Sequence, residues 1–137
     1  MKTLVVFYSR TGHCKALAQA RAEKESADLA EIEDAVHPKG PKDYSEACTL
    51  AIGGKPWPIK PVQADLPAYG RIALYSPVWA ANTPPAVNAF LDLLPAGMPV
   101  AAVMVSASGM SGCEPRLAAA LQARGGNLES FEEVRGA

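Results

Sequence analysis

The sequence predicts a single α/β domain built around a mostly parallel β-sheet. Short, continuous apolar runs at residues 4–8, 72–75 and 100–105 are typical of parallel strands that are buried on both faces. Segments with helical spacing separate these runs, and this alternation predicts βαβ units with helices on both faces of the sheet. The 137 residues, of which 49% are hydrophobic, suit one domain spanning residues 1–137 with one core.

Two weaker strand patterns complete the predicted sheet. Residues 29–33 alternate poorly and carry two glutamates, as an edge strand does. Residues 128–134 also predict a strand, although their apolar side chains fall three apart instead of alternating. The Pro- and Lys-rich segments 37–42 and 55–68 predict loops.

Four segments show the spacing of amphipathic helices. The first covers residues 14–26, and glycine pairs at 53–54 and 125–126 end the second and the fourth. Thr83 is the predicted N-cap of the third helix, ahead of two first-turn prolines. The apolar positions of the four helices are, in chain order, Leu17 and Ala20, then Tyr44, Ala47, Cys48 and Ala51, then Val87, Phe90, Leu91 and Leu94, and finally Leu117, Ala120 and Leu121.

Composition and charge argue against several classes of function. The formal net charge is -1 and the sequence has no basic stripe, so nucleic acids and anionic membranes are not expected partners. No apolar stretch has the length of a membrane span, and the first residues resemble a strand more than a signal peptide, so we expect a cytoplasmic protein. The three cysteines lack metal-type spacing, and we expect free thiols without a metal site.

The loop after the first strand has the features of an anion site. In sheets of this kind, ligands bind beyond the carboxyl ends of the strands, where the strand order reverses. Hydroxyls and backbone N–H groups at a helix N-terminus attract a phosphate, and a glycine lets the backbone close around it. An ordinary capped turn is the alternative. The dinucleotide fingerprint and the P-loop pattern are both absent from the sequence. The residues of this loop are Ser9, Arg10, Thr11, Gly12, His13 and Cys14.

Two further loops follow the third and fourth predicted strands. The first, residues 76–83, contains Trp79, whose indole is costly to leave in water and suggests a flat apolar face for a ligand. The alternative is that Trp79 covers the edge of the core. The second, residues 106–113, is small, polar and glycine-rich, so its backbone can come close to the edge of a ring. Together with residues 9–14, these loops stand in the order that a mononucleotide site requires.

These motifs make the chain similar to the flavodoxin family, in particular to its short single-domain members. Residues 5–12 resemble the family's phosphate loop after strand one, and residues 76–87 resemble its first isoalloxazine loop with the helix that follows. Residues 106–112 resemble the second isoalloxazine loop, so the resemblance covers most of the chain. It implies a five-stranded parallel sheet of order 2-1-3-4-5, with flavin mononucleotide (FMN) bound where the order reverses between strands one and three.

Carried over to this sequence, the resemblance assigns FMN contacts to all three loops. The family often has Asn-Thr in place of His13-Cys14, and because a thiol is a weak donor we expect weaker phosphate binding here. The residues implied to hold the phosphate are Ser9, Arg10, Thr11, Gly12, His13 and Cys14. The residues implied to line the flavin ring are Pro77, Val78, Trp79, Ala80 and Asn82, and those implied to approach its other edge are Ser106, Ser108, Gly109 and Gly112.

The expected function is electron transfer, because the flavin supplies the chemistry and no side chain stands out as a general acid or nucleophile. The alternatives are an FMN-dependent reductase that passes electrons from NAD(P)H to quinones or similar acceptors, and a non-flavin interaction module on the same fold. The expected partner is a redox protein or a small-molecule acceptor. Family members usually have a last helix after strand five, and without it we expect an apolar sheet face that a homodimer buries.

Several other residues have a structural and a functional interpretation. Cys14 stands where a helix dipole can lower a thiol pKa, and with Cys113 it forms either a redox-active pair or inert packing. Cys48 falls on an apolar helix face and is predicted to lie in the core. Trp57 is either a lid near the ring or a surface-packing residue. The glutamates at residues 129–133 predict a solvated face.

Overall fold

Five parallel strands form one sheet, and helices lie on both of its faces. The computed structural model describes residues 2–8, 12–35, 41–79 and 82–136, with the backbone alone described for residues 41–44. The strands are β1 (Thr3–Phe7), β2 (Asp28–Glu31), β3 (Arg71–Pro77), β4 (Pro99–Ser106) and β5 (Asn127–Arg135). The helices are α1 (His13–Glu25), α2 (Pro41–Ile52), α3 (Pro85–Leu91) and α4 (Glu114–Ala123), and a 3-10 turn covers Leu66–Ala68.

The strand order is β2-β1-β3-β4-β5, and each neighbouring pair is parallel. This order is the predicted one. The chain first winds outward from β1 to β2, then returns past β1 to β3 and continues to β5, so the direction of winding reverses between β1 and β3. Among the helices of the described chain, none is long and apolar enough to span a membrane.

The sheet separates two cores of unequal size. The larger core lies under α2, α3 and α4, with Phe90, Leu117 and Leu121 almost completely buried. The smaller core lies under α1, where Cys14 and Ala18 pack against the other side of the sheet. Helix α1 packs on β1, β2 and β3, and within the described chain no helix lies over β4 and β5 on that face.

A β-bulge explains the unusual apolar spacing of β5. Leu128 pairs with Val100, but the next pair along β4 is Ala101 with Ser130, so Glu129 is the extra residue. The bulge turns Leu128 and Phe131 to the same side of the sheet, where both pack on the larger core. Strict alternation would have put them on opposite faces. The predicted strand is therefore present, and the bulge explains why its apolar side chains fall three residues apart.

All four predicted helices are present, but Ala20 of α1 is exposed, α2 begins at Pro41 inside the predicted loop 37–42, and the prediction is wrong at the start and end of α3. Its N-cap is Pro84, with φ -59° and ψ 155°, and not the predicted Thr83. A residue before proline is forced into an extended conformation, so the helix cannot begin ahead of Pro85. The hydroxyl of Thr83 instead donates to Oδ1 of the buried Asn88. The predicted stripe also ran on to Leu94, which lies beyond the last residue of α3.

Candidate functional site

The carboxyl ends of β1, β3 and β4 lie side by side at one edge of the sheet. Strand β1 pairs with β3, and β3 pairs with β4, so the loops that follow these strands emerge next to one another. Because the winding reverses between β1 and β3, this edge is where open α/β sheets bind ligands. The three loops selected from the sequence therefore belong to one candidate site.

The described part of the first loop begins at Gly12, and residues 9–11 (Ser9, Arg10 and Thr11) lie outside the described residues. Gly12 has φ 90° and ψ -4°, a left-handed conformation that glycine adopts without strain. It stands at the N-cap of α1, where it has no side chain to offer the first turn. The positive end of the helix dipole therefore lies at the edge of the sheet where the three loops meet.

His13 is exposed at the first position of α1, beside the end of β5. A methyl group added at Gly136 would lie 2.9 Å from Nε2 of His13 and 2.5 Å from Cγ1 of Val105. The N–H of Gly136 donates to the carbonyl oxygen of Ser106 at 2.9 Å. Gly136 therefore lies near His13 of the first loop and is hydrogen-bonded to Ser106 at the start of the third.

The backbone of Cys14 lies in the first turn of α1 at the carboxyl edge of the sheet, whereas its thiol packs in the smaller core. It is 2% exposed, and burial raises the pKa of its thiol to about 12. The interpretation in which the helix dipole lowers this pKa is wrong, because the cost of burying the thiolate is larger. At an anion site, Cys14 would act through its N–H and not through its sulfur.

The second loop is a tight hairpin closed by Trp79 and Asn82. The N–H of Trp79 donates to the carbonyl of Asn82 at 2.9 Å, and the N–H of Asn82 donates back at 3.0 Å. Ala80 lies outside the described residues. Pro77 and Val78 lead into the hairpin and are half-buried, and the N–H of Val78 donates to the carbonyl of Val105 at 3.1 Å. The hairpin is thus joined to the end of β4.

Trp79 covers the edge of the larger core and leaves little of its ring exposed. It is 5% exposed and contacts Tyr8 edge to face, with ring centroids 5.7 Å apart. Trp57 lies against it in a second edge contact at 6.3 Å. Trp79 therefore covers the edge of the core, which was the alternative interpretation, and it does not present an open ring face to a ligand.

A buried carboxylate fixes the residues around Trp79. Asp34 is 9% exposed and accepts hydrogen bonds from the hydroxyl of Tyr8 at 2.9 and 3.0 Å. The indole N–H of Trp57 donates to the same carboxylate at 2.9 Å. Asp34 also forms an antiparallel bridge with Ile59, which ties the loop after α2 to the end of β2. Trp57 is therefore a packing residue. Asp34 stands two residues after Ile32, and in an extended chain this spacing puts both side chains on the same face, so its position could have indicated that Asp34 is buried.

The third loop is shaped by two left-handed glycines and by serine hydroxyls. Gly109 and Gly112 have φ values of 74° and 73°. The hydroxyl of Ser106 accepts from the N–H of Gly109 at 2.9 Å, and that of Ser108 accepts from the N–H of Met110 at 3.1 Å. The side chain of Met110 is 86% exposed, the largest value among the described bulky apolar residues. This loop thus presents backbone groups and one exposed thioether to the edge of the sheet.

Glu133 of β5 anchors this loop and was missed by sequence reasoning. Its carboxylate accepts from the hydroxyl of Ser106 at 3.0 Å, and from both the N–H and the hydroxyl of Ser111. Burial raises the pKa of Glu133, but the hydrogen bonds from these serines outweigh burial, and the pKa lies below its ordinary value. The predicted solvated face holds for Glu129 and Glu132, which are exposed, and is wrong for Glu133.

Cys113 is completely buried in the larger core, on the opposite side of the sheet from Cys14. Burial, reinforced by the negative charge of Glu133, raises the pKa of the Cys113 thiol to about 11. The interpretation of these two residues as a redox-active pair is therefore wrong. Cys48 is half-buried and packs against the larger core. Among the described residues, no cluster of three or more potential metal ligands is present.

Solved structures similar to this chain include several flavoproteins. A putative flavoprotein from Bacteroides uniformis is 23% identical, with a TM-score of 0.81 over 99% of this chain and 91% of that chain. A flavoprotein from Lactobacillus acidophilus in complex with FMN is 22% identical, with a TM-score of 0.76 over 95% and 91% of the two chains. Oxidised flavodoxin 2 from Bacillus cereus is 19% identical, with a TM-score of 0.59 over 100% and 86%. No family model and no curated protein matches the sequence. The fold is flavodoxin-like, as predicted.

Proposed function

We propose that this protein binds FMN at the carboxyl edge of its sheet and acts in electron transfer. The observation that carries the proposal is the convergence of the loops after β1, β3 and β4 at the point where the strand order reverses. A similar flavoprotein from Lactobacillus acidophilus is in complex with FMN, which supports the choice of ligand.

The described residues fit such a ligand. Gly12 and the first turn of α1 suit a phosphate, with the N–H groups of His13 and Cys14 as donors. The third loop offers backbone groups around Gly109 and Gly112 to a ring edge. In this proposal Trp79 supports the hairpin from beneath, while Pro77 and Val78 lie nearer the ring.

Beyond FMN binding, we propose a role in electron transfer. FMN, when bound, supplies the reversible redox chemistry. Among the described residues of the three loops, His13 is the only side chain that commonly acts as a general acid, and it lies at the phosphate end of the proposed site, which supports a carrier over an enzyme that needs a general acid beside the flavin ring. The partner is a redox protein or a small-molecule acceptor, and a net charge of -1 gives little long-range steering towards it. The cytoplasmic location stays a prediction.

Titration of apo-protein into FMN, followed by flavin fluorescence, tests the binding claim. We expect strong quenching with FMN and much weaker binding of riboflavin, which lacks the phosphate. Gly12→Ala should raise the Kd for FMN by about tenfold, because it strains the left-handed turn at the phosphate site. Gly54→Ala is the matched control, since Gly54 has φ 66° and open space around it at the end of α2.

Gly54→Ala should leave the Kd unchanged at a similar cost in stability. A folded protein that quenches neither flavin would reject FMN binding and leave an interaction module on this fold. With the FMN complex in hand, NADH and NADPH separate carrier from reductase. Slow bleaching of the flavin without added reductase supports a carrier, whereas rapid bleaching supports a reductase.

A further inference from the structure

A groove of about 560 Å³ runs along the α1 face of the sheet, in the region where no helix covers β4 and β5 in the described chain. One wall is α1 and the other is β5. The floor is made of Tyr75 of β3 and the small apolar side chains of β4. The residues that matter here are Ala20 and Lys24 on α1, Ala101 and Val103 on the floor, and Ser130 and Glu132 on β5.

The two walls carry opposite charges that the chain itself does not neutralise. Lys24 on α1 and Glu132 on β5 are both exposed, and neither has an ion-pair partner within the described residues. Arg21 on the same wall differs, because it pairs with Glu25 at 2.8 Å. The groove therefore presents one available cation on one side and one available anion on the other.

The charged groove of one copy is complementary to the same groove of a second copy. A two-fold axis parallel to the groove would place α1 of one copy over β5 of the other, and the reverse. Each α1 would then occupy the layer beside its counterpart, over the part of the sheet that no helix of the described residues covers. Packed helices are separated by about 8–10 Å, and the small side chains of Ala20, Ala101 and Ser130 leave room for that approach.

We propose that the groove binds a second copy of this chain, and that Lys24 of each protomer pairs with Glu132 of its partner. The homodimer shares a central layer of two α1 helices between two sheets. Charge complementarity favours a second copy, because each groove carries an exposed cation on α1 and an exposed anion on β5, and a two-fold axis along the groove brings α1 of one copy over β5 of the other. The carboxyl edge of the sheet, where FMN binding is proposed, is separate from this surface.

Sedimentation equilibrium of the full chain tests the proposal with four proteins: wild type, Lys24→Glu, Glu132→Lys and the double variant. We expect a wild-type dimer. Each single reversal puts two like-charged pairs in the interface and should raise the dimer Kd by about a hundredfold. The double variant restores opposite charges and should dimerise like wild type.

An equimolar mixture of the two single variants gives a further test. Each variant alone should be monomeric, because one carries acidic side chains at both positions of the pair and the other carries basic side chains at both. In the mixture, every pair across the interface joins opposite charges, so a heterodimer should form. A variant that fails to fold cannot be rescued in this way. Lys60→Glu and Glu46→Lys, which reverse charges outside the groove, should leave the dimer intact.

A wild-type monomer at tens of micromolar overturns the proposal, as does a dimer that both single reversals leave unchanged. FMN titration of the same proteins keeps this result distinct from the proposed function. If a protein does not dimerise but still binds FMN, the result bears on the proposed interface at the groove and leaves the proposed function unaffected.

Discussion

Glu133 of the last strand accepts hydrogen bonds from both the backbone N–H and the hydroxyl of Ser111, in the loop that precedes α4. The same carboxylate accepts from Ser106, at the start of that loop. One side chain on β5 therefore holds both ends of a glycine-rich segment at the candidate site. A loop of this composition has many conformations available, and the hydrogen bonds to Glu133 restrict them.

Glu133→Gln should weaken FMN binding without unfolding the protein. The amide keeps one acceptor oxygen, but it loses the charge and the second oxygen, so the loop is held less firmly. We expect the Kd for FMN to rise by about tenfold and the free energy of unfolding to fall by about 1–2 kcal/mol. Fluorescence titration and chemical denaturation measure the two effects. Glu132→Gln is the control: it lies on the other face of β5, and an equal loss of FMN affinity in that variant would contradict the role of Glu133.

The same contact predicts a pH dependence. The pKa of Glu133 in the folded protein lies below its ordinary value of 4.5, so folding favours the carboxylate. Its contribution to stability is therefore complete above pH 4.5 and is lost as the pH falls through the lower folded pKa. We expect the stability difference between wild type and Glu133→Gln to shrink in this acid range. Denaturation curves at a series of pH values measure it, and a difference that grows on acidification would have the wrong sign.

Asp34→Asn should disturb the aromatic cluster at the second loop. The carboxylate serves two donors, the hydroxyl of Tyr8 and the indole N–H of Trp57, and an amide directs its own N–H₂ towards one of them. Since Asp34 is 9% exposed, water replaces the lost contact poorly, and we expect a loss of about 1–3 kcal/mol in the free energy of unfolding.

Asp28→Asn provides a matched control for that substitution. Asp28 accepts from the hydroxyl of Tyr69 at 2.7 Å, a tyrosine–aspartate pair of the same chemistry on the exposed surface. It should cost less than about 0.5 kcal/mol. Tryptophan fluorescence should shift in Asp34→Asn, because Trp57 and Trp79 are in contact, and should not shift in Asp28→Asn. Equal costs for the two substitutions would show that burial of the Asp34 cluster is unimportant.

The sequence predicted most elements of the fold because their signals are local. Ala47 and Ala51 of α2 and Leu117 and Leu121 of α4 are buried at the helical spacing read from the sequence. The bulge at Glu129 was not predictable, because it depends on how β5 pairs with β4. Missing the bulge also hid Glu133, since the bulge sets which β5 side chains face the third loop.

The sequence predicted which strand ends lie together, but not the environments of the side chains there. The carboxyl ends of β1, β3 and β4 lie side by side because of the strand order. The environments of Trp79 and Cys14 depend on long-range packing: Tyr8 and Trp57 bury the indole, and the smaller core buries the thiol. A sequence pattern places such residues at a strand end, but it does not show whether their side chains face solvent or the core.

The cysteines should be unreactive in the native protein, and their order of reactivity should follow burial. Cys14 and Cys113 are 2% and 0% exposed, with thiol pKa values raised to about 12 and about 11, whereas Cys48 is half-buried. At pH 8 we expect an aromatic disulfide reagent to modify Cys48 first, and the other two only as the protein unfolds. Cys14→Ala should reduce stability by about 1 kcal/mol and change the Kd for FMN by less than about twofold, because the backbone N–H is retained. Cys48→Ala, assayed beside it, should remove the fast phase of modification. A rapid reaction of Cys14 in folded protein, or a large loss of FMN affinity in Cys14→Ala, would mean that the thiol faces the phosphate loop and not the core.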